Sequence, residues 1–93
     1  MNSASPATAR VEMYTTAICP YCVAAKNLLR SKGFGYSETR VDLDAAERDR
    51  MLERSGGRRT VPQIFVNDVH IGGFDDLVAA DRSGKLADIV AAG

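Results

Sequence analysis

The chain contains two cysteines, and both lie in the single stretch Ala17-Ile18-Cys19-Pro20-Tyr21-Cys22, two residues apart. Before it, Val11 and Met13 alternate with Glu12 and Tyr14, the period of two that marks a strand. After it, Leu28 and Leu29 follow Ala24 at helical spacing. The cysteine pair therefore falls at a strand-to-helix turn. Proline favours the first helical position, where its missing N–H is no loss, so Pro20 makes Cys19 the expected N-cap residue. A thiol placed there faces the free N–H groups of the first turn and the positive end of the helix dipole, and both favour thiolate. Cysteines in such positions have pKa values lowered from about 8.5 to roughly 3.5–7.5. Cys22, one turn on, is within reach of a disulfide with Cys19. One exposed nucleophile and one resolving partner make a redox couple.

Composition removes several alternatives. With 93 residues the chain is long enough for one core and too short for two domains. Twelve basic and twelve acidic side chains cancel, so nothing in the bulk charge points to nucleic acid or a membrane surface. No apolar run approaches the length of a membrane span. Residues 1–9 lack an apolar targeting core and are expected to be a disordered leader, with one domain over residues 10–92. A CxxC pair without an export signal suggests a reducing, cytoplasmic setting, where such pairs are catalytic or metal-binding. A closed zinc site needs four ligands, and the only other typical one is His70, so no metal is expected.

Along the chain, residues 10–15 read as a strand and 20–32 as a helix closed by Lys32-Gly33. Tyr36 to Val41 reads as a second strand, parallel to the first. Asp42-Leu43-Asp44 supplies a turn and an N-cap for a charged helix from Ala45 to Arg54, with Met51 and Leu52 inward. Gly56-Gly57 stops it. Thr60-Val61-Pro62 introduces a third strand over residues 63–66, and Asn67-Asp68 turns it into a short antiparallel strand at Val69-His70-Ile71. Gly72-Gly73 breaks the pattern, and two more helices follow, interrupted at Ser83-Gly84. The expected fold class is α/β, a four-stranded mixed sheet (βαβ then ββα) flanked by helices on both faces.

Cys19-Pro20-Tyr21-Cys22, Thr60-Val61-Pro62 and Gly72-Gly73-Phe74-Asp75-Asp76 occur in that order with spacing that resembles the three signatures of a dithiol, CPYC-class glutaredoxin. The resemblance covers about residues 10–91 and implies a thioredoxin-like fold. It also implies that Pro62 is cis and lies beside the cysteines. The backbone of Val61 would then pair with an extended peptide such as glutathione, like an added strand. Gly73, Phe74 and Asp75 would receive the γ-glutamyl end, its carboxylate on free N–H groups and its ammonium on Asp75. Asp75 is also a candidate N-cap, and Asp76 a partner for the helix dipole. Arg59 is the candidate for the glycyl carboxylate, with Arg58 second to it. Thr60 and Pro62 complete the groove, and Tyr21 flanks it or covers the cysteines. His70, distant in sequence from the cysteines, reads as a surface or hairpin-packing residue.

By the same resemblance Cys19 is the nucleophile and Cys22 the resolving thiol of a glutathione-dependent thiol–disulfide oxidoreductase. It would act as a monomer on glutathionylated or disulfide-bearing proteins, with glutathione as co-substrate and no bound cofactor. Such couples sit at roughly −200 to −230 mV. Many members of the family carry a lysine three residues before the first cysteine; here Thr16 occupies that place. The alternatives are a redoxin served by a thioredoxin reductase, against which the Gly72–Asp76 corner argues, and a [2Fe–2S] carrier, which Pro20 disfavours by stiffening the loop.

Overall fold

The computed structural model describes residues 9–93. Of the expected leader, residues 1–8 therefore lie outside the described residues. The chain runs β1 (Val11–Thr15), α1 (Pro20–Ser31), β2 (Ser37–Arg40), α2 (Ala45–Arg54), β3 (Gln63–Val66), β4 (Val69–Gly72), α3 (Phe74–Ser83) and α4 (Lys85–Ala92). The strands form one sheet in the order β2-β1-β3-β4. β1 is parallel to β2 and antiparallel to β3, and β3 is antiparallel to β4.

The period of two along β1 and β3 sends alternate side chains to opposite faces and so creates two cores. On one face Val11, Met13, Ile64 and Val66 pack with Ala25 and Leu29 of α1, Leu77 and Ala80 of α3, and Leu86 of α4. On the other face Tyr14 and Phe65 pack with Val41 and with Met51 of α2, joined by the partly buried Leu52 and Val61. Phe65 is held on three sides. The Tyr14 ring meets it edge-on at 5.9 Å, His70 lies 4.9 Å away, and the Arg54 guanidinium sits 3.9 Å above its centre. Arg54 also donates to Glu12 and to the Tyr14 hydroxyl, which ties the end of α2 to the sheet.

Local chemistry sets the element ends. The Asp44 carboxylate accepts from Ala46 N–H and Glu47 N–H and caps α2. At the end of α1, Gly33 N–H donates to the Arg30 carbonyl and Phe34 N–H to the Leu29 carbonyl. This is the Schellman pattern, and it requires the positive φ of 80° that Gly33 adopts. Asn67 and Asp68 both have positive φ, as a two-residue hairpin turn with the strands' own twist demands. β2 is one residue shorter at each end than the expected Tyr36–Val41, although Val41 remains buried and its N–H still donates to the Thr15 carbonyl at 3.0 Å.

Candidate active site

Cys19 is the N-cap of α1, with extended backbone (φ −150°, ψ 94°), and Pro20 opens the helix. The two cysteines are joined as a disulfide with Cα atoms 5.2 Å apart. Cys22 N–H donates to Cys19 Sγ at 3.1 Å. Cys22 is buried and Cys19 half-buried, so of the two sulfurs Cys19 is the one open to an incoming reagent. The turn before it is anchored from β2's end, where Ala17 N–H donates to the Asp42 carboxylate at 3.2 Å. Arg40 grips the same carboxylate through two N–H groups, at 2.7 and 2.6 Å. That grip, helped by the Ala17 N–H, brings the Asp42 pKa down to about 2.

The Val61–Pro62 peptide is cis, and the Val61 carbonyl oxygen lies 3.7 Å from Cys19 Sγ. The loop is braced from β3 and β4. Buried Gln63 donates its amide N–H groups to the Thr60 carbonyl and hydroxyl, while its amide oxygen lies 2.7 Å from His70 Nε2. Of the surface and hairpin-packing alternatives His70 takes the second, and through Gln63 it supports the loop.

Beside Cys19 runs a groove of about 420 Å³ lined by Tyr21, Arg58, Thr60, Val61, Pro62, Gly73, Phe74, Asp75 and Asp76. That volume lies within the usual range for small-molecule clefts, about 300–1,000 Å³. Three segments remote in sequence build it: the start of α1, the loop before β3, and the β4–α3 corner. Two of its lining residues, Tyr21 and Phe74, stack on each other with ring centres 6.4 Å apart and planes 29° from parallel. The two walls come close at Gly73, where a Cβ would meet the Pro62 carbonyl oxygen at 3.5 Å.

Most residues singled out from the sequence meet here, but two expectations change. Arg59 is exposed and does not line the groove; its neighbour Arg58 does. Asp75 is not the N-cap of α3. Gly73 is, with extended backbone, and Phe74 is already helical. The carboxylate of Asp76, at the third helical position, reaches back to accept from Gly73 N–H at 2.9 Å and from Arg58 Nη1 at 3.1 Å. Those contacts, Gly73 N–H first, hold Asp76 below the usual carboxylate range. A local signal for this bond exists, an acidic residue at the third helical position, but it is readable only once Gly73 is known to be the cap. The Tyr21–Phe74 stack joins residues too far apart in sequence for any local signal.

A four-stranded mixed sheet, with a disulfide-forming CxxC at the N-terminus of its first helix and a cis-proline loop against it, defines a dithiol redox protein of thioredoxin-like fold. Comparison with known proteins narrows the class. The sequence model of the glutaredoxin family matches residues 11–71. The chain is 55% identical to Glutaredoxin 3 of Escherichia coli (strain K12) over 78 residues, covering 84% of this chain and 93% of that protein. Its fold is similar to the solution structure of glutaredoxin from Brucella melitensis, with TM-score 0.74, 45% identity and 88% of each chain covered. It is also similar to the buckwheat glutaredoxin–glutathione complex, with TM-score 0.78, 28% identity, and 91% of this chain and 79% of that one covered. The chain belongs to the glutaredoxin family, in its dithiol CPYC class, and is a thiol–disulfide oxidoreductase.

Proposed function

We propose that this oxidoreductase is driven by glutathione and reduces glutathione mixed disulfides and protein disulfides. The observation that carries the reading is the groove that opens beside Cys19, lined by Tyr21, Thr60, Val61, Pro62, Gly73, Phe74 and Asp75. A glutathione laid along it would pair its peptide backbone with Val61 and direct its γ-glutamyl carboxylate to the N–H groups that open α3, with Asp75 beside the ammonium. Its sulfur would then meet Cys19. The buckwheat relative, which shares this fold, forms a complex with glutathione, and that supports the same ligand for the groove here.

In the reaction, Cys19 thiolate attacks the glutathionyl sulfur of a mixed disulfide. A Cys19–glutathione disulfide forms and the substrate sulfur leaves as thiolate. A second glutathione thiolate attacks the bound glutathionyl sulfur, yielding glutathione disulfide and restoring Cys19. With a protein disulfide, Cys19 first joins the substrate and releases one of its sulfurs. Cys22 then attacks Cys19, frees the second substrate sulfur and leaves the Cys19–Cys22 bond for two glutathiones to reduce. No general base is required, since the helix N-terminus already favours thiolate. The setting proposed is cytoplasmic, with a single domain over residues 10–92 acting as a monomer and without a bound cofactor.

The test is turnover of a small glutathione mixed disulfide with glutathione, glutathione reductase and NADPH. Wild type should be active, Cys19→Ser inactive, and Cys22→Ser active on this substrate while losing activity on protein disulfides. Silence of wild type here, with reduction by a thioredoxin reductase instead, would overturn the reading.

A further inference from the structure

Arg58 stands where the two walls of the groove meet, and three separate features fix it there. Its backbone is tied to the buried Ser55 that ends α2: the Ser55 hydroxyl accepts from Arg58 N–H at 3.1 Å and donates to its carbonyl oxygen at 3.2 Å. Its guanidinium donates to Asp76 at 3.1 Å. The space it enters exists because residue 72 has no side chain. A Cβ on Gly72 would overlap Asp76 Oδ2, approach Asp76 Cγ to 2.8 Å, and stand 2.9 Å from Arg58 Nη1.

The same Asp76 oxygen accepts from Arg58 and from Gly73 N–H. It thus lies in the helical turn whose remaining N–H groups, on Phe74, Asp75 and Asp76, have no partner within the helix. An anion entering that turn meets the positive end of the α3 dipole, but it also meets the negative charge of Asp76. The Arg58 guanidinium, bonded to the same Asp76 oxygen that accepts from Gly73 N–H, offsets that charge and helps hold the carboxylate on Gly73.

We propose that Arg58 is a positioning residue for glutathione: through Asp76 it keeps the first turn of α3 open and electrically receptive to the γ-glutamyl carboxylate. The assignment rests on the glutathione reading above. Arg58 acts on binding and not on the exchange of sulfurs, because its contacts lie at the α3 corner and not at Cys19. Its loss should therefore appear in KM and not in kcat.

Steady-state kinetics with a small glutathione mixed disulfide test it in wild type, Arg58→Met, Arg58→Lys, Asp76→Asn and the double variant Arg58→Met/Asp76→Asn. Arg58→Met should raise KM about three- to tenfold, as expected for losing a half-exposed charge pair that also orients a group, with kcat within about twofold. Arg58→Lys should recover part of the loss. In the Asp76→Asn background, where no charge remains to be offset, removing Arg58 should change KM by less than about twofold. An unchanged KM in Arg58→Met, or the same rise with Asn at 76, overturns the assignment and leaves the glutathione reading intact. A wild type that does not turn over the mixed disulfide overturns that reading and the role of Arg58 with it.

Discussion

Cys22 N–H points at Cys19 Sγ from 3.1 Å, so the resolving residue hydrogen-bonds the nucleophile through its backbone as well as bonding it through sulfur. When the disulfide opens, that N–H is in place to stabilise negative charge on Cys19. A charge-assisted N–H bond of this kind favours thiolate over thiol.

The first consequence is measurable in the Cys22→Ser variant, which keeps the backbone donor and leaves one thiol. The rate of Cys19 alkylation by iodoacetamide should rise with pH through a midpoint in the range of about 3.5–7.5. A midpoint at or above about 8.5, the value of a free cysteine, would remove the helix N-terminus from the mechanism.

Thr16, half-buried just after β1, puts a neutral residue where the resemblance to the family leads one to expect a lysine. Thr16→Lys should lower the Cys19 midpoint by about one unit and tighten the KM for glutathione substrates. If both quantities stay put, the helix N-terminus already supplies all the stabilisation that position can give.

Gly72 has φ of +117°, and a side chain there would drive Asp76 off Gly73 N–H. Gly72→Ala should cost about 1–3 kcal/mol in urea denaturation through backbone strain and the lost contact. Gly35→Ala serves as the control, since its Cβ would meet nothing within 4 Å; it should stay within about 0.5 kcal/mol. A Gly72→Ala loss within about 0.5 kcal/mol, no larger than that of the control, would mean that the corner tolerates a side chain.

His70 is the chain's single histidine, so its titration can be followed by NMR without ambiguity. Burial lowers its pKa below 6.5, with Arg58 and Arg54 lowering it further and Asp76 opposing them. The unfolded chain then binds the proton more readily than the folded one. Stability is complete above about pH 6.5 and falls as pH drops through the folded pKa. Arg58→Met should move the His70 pKa upward. A folded value at or above 6.5 would contradict the burial seen against Phe65 and Gln63.

The sheet and its helices were legible because their signals are local. Alternation marks β1, Asp44 and Lys32-Gly33 mark helix ends, and Asn67-Asp68 marks the hairpin. Elsewhere the signal is absent or ambiguous. Gly73 caps α3 without a side chain to announce it, so the neighbouring Asp75 looks like the cap instead. Arg58 and Arg59 are equivalent as sequence. Which of them faces the groove is decided by the tether between Arg58 and Ser55 and by the distant Asp76. Cys19, Pro62 and the Gly72-Gly73 bend were legible together because each imposes its own backbone requirement.

The sheet's outermost strands carry a further consequence. β2, at one margin, reads Ser37-Glu38-Thr39-Arg40, with Glu38 paired to Lys26 and Arg40 to Asp42. β4, at the other, spans four residues and turns away at Gly72. A stray chain seeking to extend the sheet would meet committed charges on one side and too few rungs on the other. The sheet is therefore guarded at both margins against the strand-by-strand stacking that begins aggregation.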